Sequence, residues 1–106
     1  LKPNPSYPFP PGATLIRGVV YDAGGKAVSS AKVKARGREI ENKTTGEGEF
    51  VLYFSALTED EIIKEGGTRF VKGNGDKILH LDVEFDGETK TVALEAEEGK
   101  TTSVII

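Results

Sequence analysis

The sequence predicts an all-β sandwich of seven or eight short strands with one short helical insert near 58–65. Three observations predict it. Apolar residues recur at every second position through most of the chain, which is the period of a half-buried strand. Gly- and Asp-rich turn signals separate these runs at roughly 8–12-residue spacing, the pattern of a sandwich. Only one stretch carries a helix signal, and it is short. The length of 106 residues suits one domain with one two-layer core.

All 5 prolines fall in the first eleven residues, at Pro3, Pro5, Pro8, Pro10 and Pro11. Proline lacks the N–H that a sheet ladder needs, so 1–12 reads as an extended linker ending at Gly12. It implies a preceding domain, with the Tyr7 and Phe9 rings lying against the sandwich that follows. The domain proper is 13–106.

Thr14 to Asp22 alternates, with Ile16, Gly18 and Val20 on one face and Leu15, Arg17, Val19 and Tyr21 on the other. Both faces are partly apolar, which suits a well-covered strand. Ala23-Gly24-Gly25-Lys26 is a turn. Ala31, Val33 and Ala35 point inward between the outward Lys32 and Lys34. Glu39 to Thr45 reads as a third strand. After Gly46-Glu47-Gly48, Phe50, Leu52 and Phe54 share one face of a fourth strand, with Val51 and Tyr53 opposite.

Thr58-Glu59-Asp60-Glu61 matches a capping box, with a hydroxyl at the N-cap and a carboxylate three residues on. Ile62 and Ile63 follow, then a Gly66-Gly67 stop, so one or two helical turns are predicted. Thr68 to Lys72 is a short strand and Gly73 to Asp76 a turn. Lys77 to Phe85 places Leu79, Leu81, Val83 and Phe85 inward and His80, Asp82 and Glu84 outward. Asp86-Gly87 is a strong hairpin signal. Lys90 to Ala96 returns with Val92, Leu94 and Ala96 on one face. Lys100 to Ile106 is the last strand, and its apolar end suits a central position or a domain edge.

Composition excludes several function classes. Lys and Arg number 14 against 17 Asp and Glu, a net charge of −3 with no basic cluster. That argues against nucleic acid and against anionic membrane surfaces. No run approaches the ~20 apolar residues of a membrane span. With Cys at 0 there is no disulfide framework, thiolate metal site or cysteine nucleophile. No signal segment opens the chain.

The central stretch resembles a known family. Ile16-x-Gly18-x-Val20-x-Asp22, Gly25-x-Ala27-Val28, Ala31-x-Val33 and Thr44-Thr45-x-x-Gly48-x-Phe50 look like the carboxypeptidase regulatory-like domain. Ala27 stands where that family commonly has Pro, and Thr45 where it has Asp. The resemblance implies a transthyretin-like Greek-key sandwich in which this constellation is structural. Physical roles follow independently for Gly18, Asp22, Gly25, Gly48 and Phe50. Gly18 permits close packing beneath a neighbouring strand. Asp22 accepts from turn amides before Lys26, Gly25 belongs to that turn, and Gly48 supplies a left-handed corner that sends Phe50 into the core.

Candidate chemistry is sparse, and neither a catalytic group nor a cofactor site is expected. His80 is the 1 histidine, outward and without a second. Asp82 and Glu84 share the outward face and could form a loose calcium site with Asp76, but no calcium-loop spacing is present. Ser29 and Ser30 read as turn residues. An intramolecular isopeptide bond of the kind found in related surface modules is not expected, because Lys32 and Lys34 point outward. Tyr21 and Tyr53 are the candidate ligand surface. If their strands are neighbours, the two rings make a small platform for a glycan. The expectation is a non-catalytic accessory module of a larger exported or cell-surface (or periplasmic) prokaryotic protein. It would serve as a spacer or protein-interaction domain, with neighbouring domains of its parent as partners. The alternatives are a carbohydrate-binding module and a homo-oligomeric assembly unit built on open sheet edges and the Val104-Ile105-Ile106 run.

Overall fold

The structure, a computed structural model, describes residues 12–55, 57–73 and 75–106. The proline-rich lead-in before Gly12 and Asn74 of the 73–76 turn lie outside the described residues.

The chain is all-β. Its strands are β1 (Thr14–Val19), β2 (Lys32–Ala35), β3 (Glu41–Lys43), β4 (Glu49–Phe54), β5 (Ile62–Glu65), β6 (Thr68–Val71), β7 (Leu79–Phe85), β8 (Glu88–Leu94) and β9 (Thr101–Ile105). One sheet has the order β4-β1-β9, a second the order β3-β2-β7-β8, and β5 and β6 form a separate hairpin. β1 is antiparallel to β4 and parallel to β9. The two main sheets share a single core, a β-sandwich-like arrangement. Ile16, Phe50, Leu52 and Phe54 from one sheet join Val33, Ala35, Leu79, Leu81 and Val83 from the other. These are the alternate residues that the period of two assigned inward. The second face of the first strand is also covered, since Leu15 and Val51 are buried.

Turn chemistry ends the strands where expected. The β7–β8 hairpin turns at Asp86 (φ 50) and Gly87 (φ 73), both left-handed as a two-residue hairpin turn requires. Asp76 Oδ1 accepts from the Ile78 N–H, and the strand begins one residue later, at Leu79.

The helical insert predicted near 58–65 is not there. The capping box forms, with the Thr58 N–H and hydroxyl donating to Glu61 Oε1 at 3.3 and 3.1 Å. It closes only one 3-10 turn, Glu59–Glu61. Ile62–Glu65 is strand β5, and Gly66 (φ 59) and Gly67 (φ 81) make the tight turn into β6. Two β-branched isoleucines are too few for a helical stripe, yet they suit a strand that buries alternate residues. Ile62 is buried together with Val71, its cross-strand partner.

The hairpin closes one end of the sandwich. The Val71 N–H donates to Ala96 O at 2.7 Å and the Glu98 N–H to Arg69 O at 2.9 Å, tying β6 to the segment between β8 and β9.

Candidate functional site

The Gly18–Phe50 stretch concentrates Gly, Asp, Ser and Thr, and its motif residues have structural tasks. A Cβ on Gly18 would lie 2.6 Å from the Phe50 ring and 2.6 Å from Val104 O, so the ring seats on the bare backbone of β1. Asp22 Oδ1 accepts from the Gly24 and Lys26 N–H groups, both at 2.9 Å. Gly25 (φ 81) and Gly48 (φ 77) hold left-handed positions that a side chain would strain. The Thr44 hydroxyl accepts from Ala31 N–H at 2.9 Å and donates to Val28 O at 2.5 Å. Thr45 Oγ1 accepts from the Glu47 and Glu49 N–H groups at 3.3 Å. It thereby does the turn-forming work of the Asp expected at that position.

The two tyrosines do not form a platform. Their strands are neighbours, but Tyr53 pairs with Leu15 near the start of β1, while Tyr21 lies beyond its end. Six residues of extended chain separate the two positions by roughly 20 Å along the strand. Tyr21 is partly exposed and bridges Ala27, and Tyr53 is half-buried.

The outer face of the β3-β2-β7-β8 sheet is a charge ladder. Lys32 pairs with Glu84 and Lys34 with Asp82 in the β2–β7 register. Arg36 reaches Asp82 through both Nε (3.2 Å) and Nη2 (2.7 Å), and the Thr91 hydroxyl donates to Asp82 Oδ1 at 2.8 Å. The Arg36 hydrogen bonds, reinforced by Thr91, hold the Asp82 carboxyl below its ordinary range. A shallow groove of about 320 Å³ runs over Lys32, Lys34, Asp82, Glu84 and Thr89. Cross-strand register created this network, so only the alternation of its members was legible in the sequence.

The three carboxylates of the calcium grouping have separate surroundings. Asp82 is committed to Arg36, Glu84 is exposed, and Asp76 serves the turn before β7. No group of three or more metal-ligating side chains occurs among the described residues. His80 is half-buried on the same outer face. Ser29 and Ser30 (φ 60) sit exposed in the turn before β2. Lys32 pairs with Glu41 at 3.4 Å, and Lys34 is exposed.

A second polar cluster holds the β5–β6 hairpin to the body. Arg38 reaches Glu61 Oε2 at 2.5 Å and Lys72 O at 3.0 Å, and its guanidinium lies 5.6 Å from the Phe54 ring centroid. Arg69 bridges Glu59 (2.9 Å) and Glu98 (2.5 Å). The Arg38 hydrogen bond lowers the Glu61 carboxyl, with help from Thr58, and the Arg69 hydrogen bond lowers that of Glu59. Sequence reasoning missed this cluster because its partners lie 10 to 34 residues apart.

Compared with known protein-family models and with curated proteins, the chain matches none.

Proposed function

We propose that the chain is a non-catalytic accessory module of a larger exported or cell-surface prokaryotic protein, acting as a spacer or protein-interaction domain between neighbouring domains. The observation that carries this reading is the parallel pairing of β1 with β9, in which Leu15 faces Thr101 and Val19 faces Ile105. Chain entering β1 and chain leaving β9 lie at opposite ends, about 17 Å apart along the strands. Such a domain extends a string of domains and does not fold the chain back on itself. The proline-rich composition of the preceding residues suits the same role.

The strand orders support a Greek-key, transthyretin-like topology of the carboxypeptidase regulatory-like kind. The chain crosses between sheets after β1, returns after β3, crosses again by way of the β5–β6 hairpin after β4, and returns after β8 to lie beside β1. The motif residues on which the resemblance rests all do structural work, which supports a non-catalytic role.

A head-to-tail fusion of two copies tests the spacer reading by small-angle X-ray scattering. An extended rod with a maximum dimension close to twice that of one copy is expected; a compact, folded-back pair would overturn it. A hydrolase activity lost on substitution of a single polar residue would overturn the non-catalytic assignment. The separation of Tyr21 from Tyr53 weighs against a glycan platform. Polysaccharide retention abolished by Tyr21→Ala or Tyr53→Ala would reinstate that alternative.

A further inference from the structure

Sheet edges expose unpaired N–H and C=O groups, and proteins that stay monomeric protect them. Among the described residues, three of the four edges of the two main sheets are protected. β3 has only three residues, two of them charged. The neighbouring edge of β4 is approached by Asn42 Nδ2, which donates to Val51 O at 3.1 Å. β8 carries Glu88 and Lys90, both exposed, so charge lines that edge. β9 differs. Its sequence Thr-Thr-Ser-Val-Ile has no charge and no proline, and among the described residues it pairs with β1 alone.

The hydrogen-bond parity shows what this edge offers. The Leu15 N–H donates to Lys100 O at 3.1 Å, and Ile106 exchanges bonds with Val19 O and the Tyr21 N–H, both at 2.9 Å. Even-numbered residues therefore face β1, and Thr101, Ser103 and Ile105 turn their N–H and C=O groups to the open side. The side chains of the same three residues stand on the outer face, and Ile105 is 76% exposed. Beside it runs an apolar-lined groove of about 500 Å³ over Arg17, Val19, Glu49 and Ser103.

We propose that β9 pairs antiparallel with β9 of a second copy of this chain, about a two-fold axis at Ser103. Ser103 then faces its own counterpart, and Thr101 faces the second copy's Ile105. Every outward N–H and C=O of the three residues finds a partner, and the two sheets become one six-stranded sheet. Ile105, the most exposed large apolar side chain described, packs beside the second copy's Thr101. No like charges meet. The two Arg17 side chains stand three strand spacings apart, about 14 Å, which exceeds the screening length of ~8 Å at physiological salt. A five-residue edge buries less than the ~1,000 Å² of a stable interface, so the pairing is weak and concentration-dependent. It does not rest on the spacer reading.

Sedimentation velocity across micromolar to millimolar concentration, with amide exchange by NMR, tests the proposal. The expected result is a sedimentation coefficient that rises with concentration. Protection should grow with concentration at Thr101, Ser103 and Ile105 and stay constant at Thr102 and Val104. Ile105→Lys should weaken association at least about tenfold by placing a charge on the edge. Ser103→Pro removes an N–H that points away from β1 and should do the same. Thermal melting of both variants at micromolar concentration, where the chain is monomeric, confirms that they fold. A chain that stays monomeric at millimolar concentration would overturn the proposal. So would a dimer indifferent to both substitutions, or one protected at residues outside β9.

Discussion

Gly18→Ala is the sharpest test of how this sandwich is built. Gly18 lies on the inward face of β1, opposite Phe50 on β4 and Val104 on β9. An added Cβ would sit 2.6 Å from Phe50 Cε1 and Cζ and 2.6 Å from Val104 O. Carbon atoms pack at about 3.5–4.0 Å, so the ring must retreat by roughly 1 Å. Phe50 is fully buried in the shared core, which has little slack at native packing density. Overpacking of this kind costs about 1–3 kcal/mol. Relief of unfolded-state entropy returns about 0.4–1 kcal/mol on replacing glycine. The net expectation is a loss of about 1–2 kcal/mol, or a fall in Tm of roughly 5–15 °C for a domain of this size. Urea denaturation followed by circular dichroism gives the free energy, and scanning calorimetry gives the Tm. Shortening the opposing ring should recover part of the loss. In the cycle of Gly18→Ala, Phe50→Leu and the double variant, the coupling should be favourable by about 0.5–1 kcal/mol. Recovery stays partial because the Val104 carbonyl still obstructs the methyl. A Gly18→Ala variant as stable as the parent, or a strictly additive cycle, would refute the packing account.

Gly48→Ala should cost more than Gly25→Ala. Both residues have a left-handed φ, but a Cβ at Gly48 meets Val20 O at 2.8 Å while the space around Gly25 is open; equal melting points would refute the steric contribution. Thr44→Val should lose about 1–3 kcal/mol in chemical denaturation, because it leaves the Ala31 N–H and Val28 C=O without their buried partner. Acid should destabilise the fold in a defined window. Asp82, Glu59 and Glu61 are held below their ordinary values of 3.8 for Asp and 4.5 for Glu, so the folded state binds fewer protons than the unfolded state there. Their contribution is complete above those ordinary values and is lost as pH falls through the lowered ones. Tm should therefore hold steady down to about pH 5 and fall below it, and Arg36→Gln should make the acid limb shallower. An acid limb that Arg36→Gln leaves unchanged would show that Asp82 does not contribute.

Much of the core was legible because a strand's side-chain period is two and does not depend on what the strand packs against. Ile16, Val33, Phe50, Leu52, Leu79, Leu81 and Val83 could be assigned inward from alternation alone. So could the turns at Gly25, Gly48 and Asp86-Gly87, where backbone sterics select glycine or a short polar residue. The region at 58–65 was misread because its capping box is a local signal. A capping box specifies how a turn starts and says nothing of how far a helix runs. The competing evidence was present in the Gly66-Gly67 turn and in the β-branched pair Ile62-Ile63. Their pairing with Thr68–Val71 is what made a hairpin the better solution.

By itself, then, the sequence determined an all-β chain, the inward residues of most strands, and the turns within the Gly18–Phe50 stretch. Those features follow from local periodicity and from φ restrictions at single residues. Tertiary structure alone decided which strands are neighbours and in what register. Register set Tyr21 and Tyr53 at opposite ends of the same sheet, clasped Asp82 between Arg36 and Thr91, and brought Arg38 to Glu61. It also left β9 as the uncharged edge. Such pairings join residues far apart in the chain, and their geometry exists only once two sheets have closed over one core.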